Sequence, residues 1–427
     1  MPGSRIPRRQ FLTAAAAASA AAAAFPAPLI AQAAGPRVVV IGGGFGGASC
    51  ARTLRKTDPR IAVTLVEANP TFTAMPQSSA AIAGLFELKH QQFGYGRIRD
   101  SGVTVAISAA KAIDPEKRTV RLADGASFVY DRLVLSPGIE FRAGAIPGYD
   151  SKAAAIMPAA WNNGDEVALL RRQLEAMDDG GTVVITSPVN PARCPPAPYE
   201  RASLIAHYLK TKKPRSKVIV LDSKEGFTMQ KLFDAAWKEL YPGMIEWVGL
   251  SNGGALSSVD AGTKTLLTDF DRYQADVANV IPPQKAGHAA DLAGVADRTG
   301  WCPVDPVTFE SRLQKNIHVV GDAAIAGAMP RSASAAHSQG TICAAAIVAL
   351  LAGKKPEPPA LISSCYSLIA PDYAISQRGT YRPVDDQYAE ADGGAIVSAP
   401  GASRNARKDE AGQAHAWYRT ITGEVFG

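Results

Sequence analysis

Short apolar blocks alternate with longer stretches of mixed polarity, and the blocks recur in a βαβ rhythm. Arg37-Val38-Val39-Val40-Ile41 is a continuous apolar run, as expected of a strand covered on both faces. A glycine-rich turn follows, then a helical pattern over residues 46–56. A second apolar run, Ala62-Val63-Thr64-Leu65-Val66, ends at Glu67. Residues 130–138 read as a polar start, a buried strand and a turn at Gly138. Residues 316–323 read as a strand that ends in Gly321-Asp322. Between these lies a second unit. Leu169, Leu170, Leu174 and Met177 share one face of a helix predicted over 161–177, which Gly180-Gly181 terminates. A strand at 182–185, a helix at 199–212 and a strand at 217–222 complete it. Residues 332–351 predict a helix of small residues. The pattern is that of an α/β protein with two Rossmann-like, doubly wound units and a C-terminal segment.

Composition adds limits. The chain has 427 residues, 47% hydrophobic and 20% charged, enough for two or three domains. The net charge is +6, but Arg5, Arg8 and Arg9 all lie in the first 33 residues, so the remainder is only mildly basic. No basic run with interleaved aromatics marks a nucleic-acid surface. Arg8-Arg9-Gln10-Phe11-Leu12 forms a twin-arginine core, an Ala-rich stretch follows, and Ala31-Gln32-Ala33 fits a cleavage site. Residues 1–33 are therefore expected to be a signal for export of the folded protein to the periplasm. The alternative, a membrane anchor, is disfavoured by weak apolarity and bounding prolines. No other run is expected to span a bilayer. The five cysteines, Cys50, Cys194, Cys302, Cys343 and Cys365, show no CxxC or CxxCH spacing. The histidines show no metal-ligand spacing, and no metal is expected. Cys50 and Cys343 read as packing residues in small-residue helices.

Chemistry enters at Gly42-Gly43-Gly44-Phe45-Gly46-Gly47, which fits G-x-G-x-x-G between a strand and a helix. Gly42 permits the tight turn, Gly44 lets a pyrophosphate approach the backbone, and Gly47 allows close helix–strand packing. Phe45 and Gly46 open the helix, whose N-terminal N–H groups face the phosphates. Glu67, followed by Ala68, stands twenty residues past Gly47 and suits the ribose hydroxyls. The corresponding junction of the second unit is Arg193-Cys194-Pro195-Pro196-Ala197-Pro198-Tyr199-Glu200. It has no glycine, and its prolines remove N–H groups that a pyrophosphate needs. The chain is therefore expected to hold one dinucleotide, at the glycine loop of the first unit, and no NAD(P)H at this second junction. Asp222 reads as an ordinary acid at a strand end.

Gly138 and Gly321-Asp322, with the glycine loop, resemble the pyridine nucleotide–disulfide oxidoreductases. The strings 193–203, 300–305 and 364–371, with Trp417-Tyr418 and Phe426-Gly427, resemble more narrowly the flavoprotein subunit of flavocytochrome c sulfide dehydrogenase and related SoxF-type flavoproteins. The resemblance implies FAD, with Asp322 on its ribityl chain and the 332–351 helix N-terminus at its N1–O2 edge. It implies a redox-active disulfide of Cys194 with Cys365, Glu200 as a proton-handling acid, and Trp417 near the flavin. It implies sulfide as reductant and a c-type cytochrome as partner. Cys302 belongs to one of the strings without an assigned role. One departure concerns the flavin link. The family's FAD-bonding cysteine is replaced in register by Met75, so FAD is expected to be noncovalent. The expected organisation is a discontinuous FAD domain at 34–150 and 285–360, a second Rossmann-like domain at 151–284, and a C-terminal flavin-covering, partner-facing segment at 361–427. Two other readings stay open. One is a sulfide:quinone oxidoreductase, disfavoured because the tail after 372 is polar and Gly-rich without an amphipathic stripe. The other is a noncatalytic flavoprotein that regulates a sulfur-oxidation partner.

Overall fold

A computed structural model describes residues 35–427 except 163 and 392. The predicted export signal at 1–33 lies outside the described residues. The first unit is a five-stranded parallel sheet. Its strands are β1 (Arg37–Ile41), β2 (Ala62–Glu67), β3 (Thr104–Ile107), β4 (Arg132–Leu135) and a late strand, β9 (Ile317–Val319). Their order is β9-β4-β1-β2-β3. Val38, Val39, Val40, Leu133, Val134 and Leu135 are fully buried, as a sheet covered on both faces requires. Helix α1 (Phe45–Thr57) connects β1 to β2 as predicted, within a residue at each end.

The second unit is also parallel. Strands β5 (Thr182–Ser187), β6 (Lys217–Asp222), β7 (Ile245–Val248) and β8 (Val277–Asn279) lie in the order β7-β6-β5-β8. Helix α2 (Gly164–Ala176) precedes β5, and α3 (Ala197–Lys212) connects β5 to β6. Both match the sequence pattern. The two-unit α/β architecture is therefore the one expected.

Helix α4 (Ala333–Leu351) packs across α1. A Cβ on Gly340 would sit 2.1 Å from the Gly46 carbonyl oxygen, so only glycine permits this approach. At the same crossing the Cys50 and Cys343 thiols are hydrogen-bonded to one another and fully buried. Their packing role was legible, but their contact was not. Among the described residues, α4 is long and apolar enough to cross a membrane by length and composition. This corrects the expectation that no run beyond the N-terminus qualifies. Here its small residues Ala336, Gly340, Cys343, Ala344 and Ile347 are buried.

The tail departs most from its sequence reading. Strands β10 (Leu361–Ala370) and β11 (Tyr373–Val384) form a long antiparallel hairpin, extended by β12 (Gln387–Glu390) and a short strand at Ile396–Val397. Helix α5 (Arg404–Phe426) then runs back over the first unit. It does carry a stripe: Ala411, Ala414, Tyr418, Ile421, Val425 and Phe426 are all buried. Short alanines and interspersed polar residues hide that stripe in the sequence. Its end docks in an aromatic cluster, with the Phe426 ring 4.9 Å from Phe93, 5.2 Å from Phe72 and 5.5 Å from Phe45.

Phe426→Ala is expected to cost about 3–5 kcal/mol, as for other buried Phe truncations. Thermal unfolding followed by circular dichroism should show a midpoint lowered by several degrees. An unchanged midpoint would mean that the helix end is not docked as described.

Candidate active site

The carboxyl ends of β1, β2, β4 and β9 and the N-termini of α1 and α4 converge on one cavity of about 540 Å³. Ligands of doubly wound sheets bind at this end of the strands. Gly42 has φ +100°, and a Cβ there would lie 2.2 Å from the Ser136 carbonyl oxygen. The turn is thus closed to any other residue. Gly44, Phe45 and Gly46 form the adjoining wall, and Gly47 stands behind it, against the Gly42 carbonyl. Glu67 and Ala68 line the cavity from the end of β2. The Glu67 carboxylate accepts the Gly43 N–H at 2.6 Å and the Asn69 N–H at 3.2 Å. Gly138, Gly321 and Asp322 form the wall behind, and Met75 stands beside the short helix Ser78–Ile82. Ser332 caps α4, its hydroxyl accepting the Ala335 N–H at 3.1 Å. Ser332, Ala333 and Ala336 bring the N-terminal end of α4, the positive end of its dipole, to the cavity.

The sulfur residues meet at the opposite wall. Cys194 and Cys365, on elements 171 positions apart in the chain, are hydrogen-bonded to one another as thiols. No sulfur–sulfur bond is present, so the structure supports the juxtaposition and leaves the bond itself a proposal. Cys194 adopts φ +50°, a left-handed conformation that costs a non-glycine residue about 1–2 kcal/mol. Two backbone contacts hold it there. The Cys194 N–H donates to the Arg331 carbonyl at 2.7 Å, and the Arg193 N–H to Gln284 Oε1 at 2.8 Å. Cys365 sits in β10, opposite Gln377 of β11. The hydrogen bond to Cys365, and then burial, push the Cys194 thiol well above its usual range, while Arg193 opposes the shift.

Glu200 lies in the first turn of α3 and lines the same wall. Burial, with the neighbouring Cys194 sulfur, pushes its carboxyl well above the usual carboxylate range against the pull of Arg201. Burial thus biases this carboxyl toward its protonated, proton-donating form. Trp417 reaches the cavity from α5, its ring 6.0 Å from that of Tyr366. Sequence reasoning assigned no role to Arg193 or Tyr366, each adjacent in the chain to a site cysteine. Nothing local marks either as cavity-lining.

At the strand ends of the second unit, side chains close on one another beside a smaller cavity of about 330 Å³ lined by Asn190, Pro195, Lys224 and Phe227. Asp222 is fully buried and accepts hydrogen bonds from the Tyr199 hydroxyl, Trp247 Nε1 at 3.0 Å and Lys224 Nζ at 2.6 Å. The Tyr199 ring stacks on Phe227 at 3.6 Å. Asp222 is thus not an ordinary strand-end acid. It anchors an internal plug, and its charge is balanced by Lys224.

Comparison with known proteins agrees with this geometry. Residues 36–174 match the pyridine nucleotide-disulphide oxidoreductase family. Residues 167–282 match the central part of the sulfide dehydrogenase [flavocytochrome c] flavoprotein chain, and 357–426 match the flavin-binding part of flavocytochrome c sulphide dehydrogenase. The chain belongs to the flavocytochrome c sulfide dehydrogenase flavoprotein family. The flavoprotein chain of that name from Chlorobaculum thiosulfatiphilum is 64% identical over 44 residues, 10% of this chain and 92% of the relative. The mitochondrial sulfide:quinone oxidoreductase of Dictyostelium discoideum is 23% identical over 294 residues. That alignment spans 67% of this chain and 65% of the relative's length. In fold, the chain is similar to the sulfide:quinone oxidoreductase from Aquifex aeolicus, with a TM-score of 0.72 and 17% identity over 91% of this chain and 92% of the other.

The family's cofactor is FAD, and the cavity residues fit it. Asp322 Oδ1 is buried without a hydrogen-bond partner on the cavity wall, a cost that a ribityl hydroxyl would relieve. Gly138 has nothing within 4 Å of where a Cβ would stand, so its face is open to a ligand.

Two outcomes follow from this wall. Met75 has a thioether where a linking thiol is needed, so acid precipitation is expected to release yellow flavin into the supernatant. Flavin retained in the pellet would disprove a noncovalent site. The Tyr199–Phe227–Asp222 plug predicts that excess NADH or NADPH leaves the anaerobic flavin spectrum unchanged. Rapid bleaching would show that the plug opens.

Proposed function

We propose that the chain is the FAD-bearing subunit of a periplasmic sulfide dehydrogenase. In this reading it passes electrons from sulfide, through a Cys194–Cys365 disulfide and noncovalent FAD, to a separate c-type cytochrome. One observation carries the reading: the two cysteines stand together on the wall of the flavin cavity, Cys194 from the second unit's loop where a nicotinamide nucleotide would otherwise approach and Cys365 from β10. The name of the Chlorobaculum relative supports sulfide and a cytochrome, and the twin-arginine segment supports export.

The residues divide the work. A sulfur nucleophile attacks the disulfide by thiol–disulfide exchange, leaving one cysteine persulfidated and the other a thiolate. The left-handed Cys194 backbone keeps its sulfur turned toward Cys365 rather than relaxing away. Glu200, in the first turn of α3 with its carboxyl biased by burial toward the protonated form, supplies a proton to a departing sulfur species. FAD, when bound, accepts the electron pair and releases electrons singly. The first-turn N–H groups of α4 and the Asp322 carboxylate hold it in place. Trp417 and Tyr366 form the aromatic side of the cavity nearest α5, which is where a docked cytochrome would draw electrons.

A sulfide:quinone reaction is the second reading, favoured by the alignments with sulfide:quinone oxidoreductases. The stripe of α5 is buried within the chain, with Phe426 against Phe45, Phe72 and Phe93, which weighs against its use as a membrane-dipping surface.

Cys194→Ser is expected to retain FAD and to lose sulfide-dependent cytochrome c reduction by at least about 10²-fold. Stopped-flow absorbance at the haem band, with quinone reduction measured in parallel, checks this. Full activity in the variant, or faster reduction of quinone than of any cytochrome c by the wild type, would overturn the proposal.

A further inference from the structure

Two guanidinium groups line or approach the sulfur side of the cavity, and they are not equivalent. Both terminal nitrogens of Arg201 are committed to neutral acceptors, Nη1 donating to the Ala159 carbonyl at 3.0 Å and Asn279 Oδ1 at 2.9 Å and Nη2 to the Ala160 carbonyl at 2.7 Å, and only its buried Nε lacks a partner. Arg201 lies 5.0 Å over the Trp161 ring and is 1% exposed. Arg193 is held differently. Its Nη2 donates to two neutral acceptors, the Trp161 carbonyl and Asn162 Oδ1. Its carboxylate partner is Asp322, at 3.9 Å, beyond hydrogen-bond distance. Asp322 is itself shared, because the Arg331 guanidinium faces it as well. Arg331 also donates from Nε to the Asp322 carbonyl at 2.8 Å.

The local charge does not cancel. Arg193 and Arg331 face one carboxylate, that of Asp322, and burial biases Glu200 toward its neutral form. Burial lowers the Arg193 pKa, but a guanidinium starts so high that it stays charged. A net positive charge therefore remains beside Cys194, inside a poorly hydrated wall where it is weakly screened. Such a charge is costly without a purpose, and an anionic sulfur ligand is the missing partner.

We propose that Arg193 is the anion anchor of this site, drawing hydrosulfide to the Cys194–Cys365 sulfurs and holding the negative charge as it passes to a cysteine. This rests on the reading of sulfide as the reductant. The exchange balances as follows. HS⁻ forms a bond to one disulfide sulfur, the Cys194–Cys365 bond breaks, and the products are a cysteine persulfide and a cysteine thiolate. One negative charge enters and one remains, on the other cysteine. No electron leaves the sulfur atoms in this step. Because the charge never leaves the cavity wall, one fixed cation beside Cys194 serves both ends of the step without reorganising.

The test uses the FAD-loaded full chain in three forms: wild type, Arg193→Gln and Arg193→Lys. Each is mixed anaerobically with sodium hydrosulfide and quenched with an alkylating agent. Cleavage of the Cys194–Cys365 bond is then read by peptide mass. Arg193→Gln is expected to slow the second-order cleavage rate by about 10²-fold, as for loss of one fixed donor facing developing charge. The loss should fall mainly on the apparent hydrosulfide KM. Arg193→Lys keeps the charge but not the planar fork that holds Trp161 and Asn162, so it is expected to recover most of the rate. A structural role alone would leave both variants equally impaired, and thermal unfolding would follow the same order. Equal rates and KM in wild type and Arg193→Gln, or a Lys variant as slow as the Gln variant, would overturn the anchor. If hydrosulfide fails to cleave the bond in the wild type, the sulfide reading falls and the anchor with it. Cleavage in all three at one rate removes the anchor alone.

Discussion

The contact of α1 with α4 governs the rest of the structure. Where the two helices cross, Gly340 lies so close to the Gly46 carbonyl that a single added carbon would clash at 2.1 Å. The helices can then begin at the same cavity, one after the glycine turn and the other at Ser332. Each N-terminus carries unpaired N–H groups and the positive end of a helix dipole. Two such ends aimed at one space suit an anionic or reducible dinucleotide. The large small-residue content of α4, which also gives it membrane-like hydropathy, is the consequence of this crossing rather than of a lipid environment around it here.

The second unit keeps the same architecture but has lost the same use. In the first unit, a strand end, a glycine turn and a helix N-terminus leave a vacancy. In the second, Pro195, Pro196 and Pro198 remove donors, and Tyr199 stacks on Phe227 and bonds to buried Asp222, narrowing the space. The freed loop instead presents Cys194, in a backbone conformation that would relax without the Arg331 and Gln284 anchors. Strain of this kind points to function when the surroundings over-determine it. The same Arg331 holds both the Cys194 backbone and Asp322, so the sulfur side and the flavin side of the cavity are mechanically joined.

The strands and helices were legible because each reports itself within a few residues. β-Branched runs predicted β1, β2, β5 and β6, and the glycine spacing, with Glu67 in register, predicted the nucleotide loop. Helix α4 was legible from its run of small residues. The tail was not. Its helix buries Ala411 and Ala414, too small to register as a stripe, and the Pro371-Asp372 turn of its long hairpin joins strands whose pairing only the fold reveals. Asp222 was misread for a different reason: an acid at a strand end looks the same whether it meets solvent or the buried Tyr199, Trp247 and Lys224.

Sequence alone therefore determined the two-unit α/β architecture, the intact first nucleotide loop and the degenerate second one, since these depend on local periodicity and on residues that no other side chain can replace. Tertiary structure decided what stands beside what. The meeting of Cys194 with Cys365, of Cys50 with Cys343, and of Arg193 with Asp322 joins residues far apart in the chain. No local pattern encodes such contacts, because they arise from the summed packing of whole helices and sheets. The charge left unbalanced beside Cys194 is likewise a property of the assembled wall, where burial removes the water that would have hidden it.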